Sequence, residues 1–232
     1  MRFVKQAINI SVRNMDNVTS SKRAKSKRHS SLLPNSIRCI IAGPSNCGKT
    51  NLLLSLIESE HGLKFENVYI YSKSLEQEKY QYLKKMLSNI QGIGFYPFTS
   101  SDQVIAPNKA KMNSIIIFDD VICDKNQENI KNFYCLGRHR NIDSFYLTQT
   151  YARVSKHLIR DNCNFLILFR QDDMNLKHVY NDMGVACDIK FDKFKMFCLE
   201  CWKERYGFAV IDLDSDVDKG RYRKGFSDYL RL

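Results

Sequence analysis

From Ile37 onward the chain alternates short, almost wholly apolar runs with longer segments whose apolar positions recur every three or four residues. Runs such as Ile115-Ile116-Ile117-Phe118 and Phe165-Leu166-Ile167-Leu168-Phe169 have no polar face, which suits strands covered on both sides. The pattern predicts strands at 37–42, 67–71, 114–119, 143–148 and 164–170, with shorter ones near 195–201 and 208–211. Helical spacing predicts helices at 50–60, 75–90, 127–137 and 176–183. Pro97 and residues 99–108 read as a loop leading into the third strand. Strand and helix in alternation predict an α/β fold, a central, mostly parallel sheet flanked by helices. No internal repeat is evident, and no apolar run approaches the ~18 residues that would argue for a membrane span.

One turn in this pattern carries chemistry. Gly43-Pro44-Ser45-Asn46-Cys47-Gly48-Lys49-Thr50 fits G-x-x-x-x-G-K-[ST] and sits between an apolar strand and a helix. Its glycines permit a turn that aims successive backbone N–H groups at phosphate oxygens, helped by the positive end of the helix dipole. Lys49 would neutralise the β- and γ-phosphates and the Thr50 hydroxyl would ligate Mg²⁺, so ATP and Mg²⁺ are the expected ligands. The strand ending Ile117-Phe118-Asp119-Asp120 supplies a second acidic site. Asp119 is expected beside the metal and Asp120 as the base that orients or deprotonates a water. Many ATPases place a longer Glu at the second position, so Glu128 is an alternative contributor.

Gln149 ends the following strand, at the sheet edge where ligands of open α/β sheets gather, and could sense the γ-phosphate. Before that strand, Gly137-Arg138-His139-Arg140-Asn141 concentrates positive charge. Arg138 or Arg140 could stabilise a transferring phosphoryl group from a neighbouring subunit, with a solvated basic turn as the competing reading. Further basic residues, Arg153, Lys156, His157, Arg160, Lys219, Arg221, Arg223 and Lys224, are candidate DNA-backbone or subunit contacts. Tyr151, Tyr222, Phe226 and Tyr229 near them could stack on bases.

Composition and charge refine this picture at the chain ends. At 232 residues, 44% apolar and 26% charged, the chain is expected to be one globular domain with tails. The net charge of +11 is concentrated early, since residues 1–36 hold eight Lys/Arg against one Asp. The expected division is a basic flexible N-terminal arm at 1–36, a P-loop ATPase domain at 37–212 and a charged C-terminal tail at 213–232. A basic arm attracts polyanions, nucleic acid first and an anionic membrane second; nuclear import, a transit peptide or simple solubilisation compete with that role. The eight cysteines read as small core or loop residues in a reducing compartment. Cys198 and Cys201 form a C-x-x-C with no second pair, so zinc is not expected.

Taken in order, the phosphate loop, Ile-Ile-Phe-Asp-Asp at 116–120, Gly-Arg-His-Arg-Asn at 137–141 and Tyr-Leu-Thr-Gln-Thr-Tyr at 146–151 resemble the viral branch of the FtsK–HerA superfamily. The nearest likeness is to genome-packaging ATPases of poxviruses and other large DNA viruses, virophages and Polinton elements. The resemblance covers about residues 37–169 and loosens beyond. It implies a P-loop NTPase fold of the RecA-like ASCE type and a homo-oligomeric ring, pentamer or hexamer, with ATP sites between subunits. Such a ring would move double-stranded DNA into a viral capsid at its portal vertex, in a virion or virus factory. The same resemblance implies the phosphate site at residues 43–50, the carboxylates Asp119 and Asp120, the sensing Gln149, and a trans arginine at Arg138 or Arg140. Alternatives are a helicase, loader or conjugation-type pump with the same core, or a nucleotide-gated assembly scaffold with little turnover. No Asn-Lys-x-Asp guanine motif and no kinase-like lid or acceptor motif is evident.

Overall fold

The computed structural model describes residues 28–124, 126–157 and 159–232. Its centre is one nine-stranded sheet in the order β3-β2-β4-β5-β1-β6-β7-β8-β9. The first six strands in sequence, β1 (Arg38–Ala42), β2 (Asn67–Ser72), β3 (Gly94–Phe98), β4 (Ser114–Asp119), β5 (Ile142–Thr148) and β6 (Phe165–Leu168), pair in parallel. The last three, β7 (Ala209–Asp212), β8 (Tyr222–Lys224) and β9 (Asp228–Tyr229), extend the sheet antiparallel.

The apolar runs take this form because alternate side chains feed two separate cores. Ile40, Ile116, Phe118, Leu166 and Leu168 face one core, with Ile130, Phe133, Leu176, Val179, Phe194 and Cys198 of the covering helices. Cys39, Ile41, Ile115, Ile117, Phe165 and Ile167 face the other, with Leu53, Ile57, Tyr80, Leu83 and Leu87. Helices α1 (Lys49–Glu58) and α2 (Glu78–Ser88) therefore cover one face. Helices α3 (Glu128–Leu136), α4 (Asp173–Asp182), α5 (Val185–Asp188) and α6 (Phe191–Cys201) contribute to the other. The α/β class and the mostly parallel sheet follow the expectation.

Several elements differ from it. Residues near 195–201 form the end of α6, not a strand, because Phe194, Cys198 and Cys201 recur at helical spacing and all three are buried. Pro97 lies within β3, the edge strand, where its missing N–H costs no ladder bond on the open side. The segment 213–232 is not a tail: it carries β8 and β9, and Tyr222 is fully buried.

Residues 1–27 of the expected basic arm lie outside the described residues. Residues 28–36 do not behave as an arm. Asp143, fully buried in β5, accepts from the Ile37 N–H at 2.8 Å and from His29 Nε2 at 2.9 Å, and pairs with Arg28 at 3.0 Å. His29 Nδ1 accepts from the Lys64 N–H at 3.0 Å, which leaves the ring proton on Nε2, facing Asp143. A carboxylate buried without partners would be costly, so Asp143 binds the start of the domain to the sheet. Leu33 completes the seam by joining the core behind α1.

Candidate active site

The phosphate loop leaves the carboxyl end of β1 and enters α1. Two bonds fix its start: the Gly43 N–H donates to the Thr148 carbonyl at 3.0 Å, and the Phe169 N–H donates to the Ala42 carbonyl at 2.9 Å. A Cβ on Gly43 would lie 2.5 Å from Phe169 Cβ and 2.6 Å from Cys47 Sγ, so only glycine fits there. Gly48, with φ at 110°, is the residue before the first helical turn. That left-handed conformation suits glycine and turns the first N–H groups of α1, which have no intrahelical acceptor, toward the loop's interior. The Lys49 ammonium bridges the loop, donating to the carbonyls of Gly43 at 2.6 Å and Pro44 at 2.9 Å.

A cleft of about 190 Å³ at the carboxyl edge of the parallel strands is lined by Ser45, Asn46, Gly48, Lys49, Thr50, Asp119, Asp120 and Gln149. The strand order explains this convergence. β5 lies between β1 and β4, so the ends of three adjacent parallel strands deliver the loop, the acidic pair and the glutamine to one place. Asp119 ends β4, partly buried, while Asp120 follows with φ at 56° and is exposed. A non-glycine residue in that region stores strain, and aspartate tolerates it better than most.

The Asp119 carboxyl is raised above its ordinary pKa, chiefly by burial and also by the charge of Asp120, against lowering by a Tyr80 hydrogen bond and by Lys49. Tyr80, 2% exposed on α2, donates its hydroxyl to Asp119 Oδ2 and also stands in hydrogen-bonding reach of Thr50. The sequence reading did not single out Tyr80. Its helix offers no local signal, because the contact depends on how α2 packs over β4. Ser74, Gln77 and Lys79 also line the cleft from the segment after β2.

The oxygen donors that line the cleft include the Thr50 hydroxyl and the Asp119 carboxylate, whose chemistry fits Mg²⁺. Among the described residues no group of three or more His, Cys, Asp or Glu could hold a metal ion, so phosphate oxygens and water would complete the shell of a cation here.

Other candidates fall elsewhere. Arg138 and Arg140 lie in a 3-10 turn, Gly137–Arg140, at the amino end of β5. Seven residues of strand, about 20 Å at the usual rise, separate them from the cleft of their own chain. Arg138 is exposed, whereas Arg140 donates to the Ala110 carbonyl at 3.0 Å. Glu128 opens α3 and does not line the cleft.

Several proposed DNA contacts are structural pairs. Arg160 bonds Asp182 at 2.6 Å and Arg223 bonds Asp212 at 2.6 Å, both buried, while Arg221 pairs with Asp188 at 2.9 Å. Tyr151 and Tyr222 are fully buried and cannot stack on bases. Arg153, Lys156, His157 and Tyr229 remain exposed. Cys198 and Cys201 are buried on α6, and burial pushes the Cys201 thiol up to about 12.

A family model described as the poxvirus A32 protein matches residues 24–219. The chain belongs to this family. Solved structures with the same fold include the genome packaging NTPase B204 from Sulfolobus turreted icosahedral virus 2 in complex with AMP, with a TM-score of 0.52 at 14% identity over 78% of this chain and 95% of that one. The DNA-packaging ATPase B204 from Sulfolobus turreted icosahedral virus gives a TM-score of 0.53 at 15% identity, over 78% and 94%. At such identity the likeness is one of fold, and the A32-family chain shares the P-loop NTPase architecture of these proteins. No curated protein matches it. Among the described residues no helix is long and apolar enough to cross a membrane.

Proposed function

We propose that the chain is an ATPase that moves double-stranded DNA during packaging of a viral genome into a capsid. The observation that carries this reading is the convergence of Lys49, Thr50, Asp119, Asp120 and Gln149 on one cleft at the sheet edge. Family membership and the packaging role named for proteins of the same fold support the cargo.

In this reading the N–H groups of residues 43–50 and the Lys49 ammonium hold the phosphates, Lys49 exchanging its loop carbonyls for phosphate oxygens. Thr50 and Asp119 hold Mg²⁺, which when bound neutralises charge on the β- and γ-phosphates. Tyr80 keeps Asp119 oriented through Oδ2. Asp120 positions or deprotonates the attacking water, and Gln149 contacts the γ-phosphate from the neighbouring strand.

The working form is a homo-oligomeric ring, pentamer or hexamer, at the capsid or its portal vertex, in the virion or virus factory. Arg138 is the better trans arginine, because Arg140 is committed to Ala110 and neither reaches the cleft of its own chain. Mixing Arg138→Ala protein into the wild type should then depress turnover by wild-type copies; strictly proportional activity would reject the assignment. The main test measures ATP hydrolysis with and without duplex DNA, alongside mass in solution, for wild type and Lys49→Ala. DNA-stimulated hydrolysis by an oligomer, lost in Lys49→Ala, is expected. A monomer indifferent to DNA would overturn the motor, and binding without turnover would favour a scaffold.

A further inference from the structure

On the other side of Gly48 from the acidic cleft lies a second cavity, about 410 Å³ and mostly apolar. Its wall is aromatic: Phe169 after β6, Tyr206 and Phe208 before β7, and Phe226 after β8. Phe169 and Phe208 lie 5.5 Å apart, and Phe208 meets Phe226 edge to face at 5.5 Å. Three of these four residues come from the antiparallel extension of the sheet, whose position beside β6 brings them over the phosphate loop.

The floor is the first turns of α1, with Gly48, Asn51, Leu52 and Ser55. Gly48 lines both this cavity and the phosphate cleft. A Cβ placed on it would meet Phe169 at 3.6 Å and Tyr206 at 3.7 Å, so both rings reach the loop itself. A ligand whose phosphates lie on the N–H groups of residues 48–51 therefore has an apolar recess beside it into which the rest of it can pass. The volume falls within the ~300–1,000 Å³ typical of small-molecule sites.

We infer that this cavity holds the base of the nucleoside triphosphate, gripped by its faces between aromatic side chains; the inference rests on the phosphate site proposed above. Polar side chains are few here: Asn51, Ser55, Ser59 and His61. The Ser55 hydroxyl already donates to the Asn51 carbonyl at 3.0 Å, and the Ser59 hydroxyl accepts from the His61 N–H at 3.2 Å. The aromatic wall supplies π-stacking and apolar contact to the faces of the base. Tyr206 is the residue best suited to close over it. The residue is 54% exposed, its ring stands 4.9 Å from the Arg205 guanidinium, and its backbone is held at φ 67°, a conformation bulky residues rarely adopt.

Equilibrium binding of ATP and of inorganic tripolyphosphate, each with Mg²⁺, separates this site from the phosphate loop. Wild type should bind ATP more tightly than tripolyphosphate. Tyr206→Ala and Phe226→Ala should each weaken ATP by about tenfold, in line with the loss of one stacking partner, and leave tripolyphosphate unchanged. Tyr206→Phe should keep wild-type ATP affinity. Because Tyr206 is half exposed, its truncation opens no core void, and thermal unfolding of Tyr206→Ala should match wild type. Equal weakening of both ligands, or unchanged ATP affinity in both truncations, overturns the base site while leaving the phosphate loop intact. A wild type that holds neither ligand overturns the phosphate site and the base site with it.

Discussion

Replacing Tyr80 by Phe removes a single oxygen from a residue that is 2% exposed, so the packing of α2 on the sheet is preserved. What disappears is the hydrogen bond to Asp119 Oδ2. A hydrogen bond to an ionised group contributes about 1.5–3 kcal/mol. It favours the charged form of Asp119, whose pKa burial and Asp120 already raise. Losing it therefore moves the Asp119 pKa further up. In the proposed site the carboxylate is the form that holds Mg²⁺, so activity should fall as pH drops through this pKa, and the fall should begin at higher pH in the variant. The assay is kcat/KM for Mg·ATP from pH 5 to 9. The acid limb should shift to higher pH, with partial recovery on the alkaline side and a higher Mg²⁺ requirement near neutrality. An unmoved acid limb with unchanged Mg²⁺ dependence would show that Tyr80 is only a core residue.

Asp119→Asn should stabilise the nucleotide-free chain while abolishing hydrolysis. Because the folded-state pKa is raised, the folded chain holds this proton more tightly than the unfolded chain, and the carboxylate costs stability at pH above that pKa. Thermal unfolding should therefore show a higher Tm for the variant at pH 7.5 and none of that gain below the ordinary carboxylate pKa; a lower Tm at pH 7.5 would contradict this. His29→Ala removes a partner of buried Asp143 and should destabilise the fold by about 1–3 kcal/mol in denaturant unfolding. Hydrogen exchange in residues 28–36 should accelerate, and unchanged protection there would mean that the other contacts, Arg28 with Asp143 and Leu33 in the core, hold the segment without His29.

Much of this protein was written locally. The turn at residues 43–50 declares itself because glycine, lysine and threonine are needed at fixed offsets, and strands β1, β4 and β6 declare themselves because both faces are buried. The pairing of Asp119 with that loop was legible too, since an acidic strand end after a phosphate loop converges on it in a parallel sheet. Other features depend on contacts between residues far apart in the chain. Tyr80 belongs to the site only because α2 packs against β4. Arg160 and Arg223 look like free cations in sequence, yet tertiary packing buries each against a carboxylate. Residues 28–36 and 213–232 look like tails by charge, but Asp143 recruits the first and β7 templates the second. The sequence by itself determined the alternating elements and the glycine-lysine-threonine loop between β1 and α1, because these are set by neighbours a few residues apart. The tertiary structure decided which charges are neutralised, which tyrosine bonds Asp119 and which aromatics surround Gly48, because those follow from distances that only the packed sheet defines.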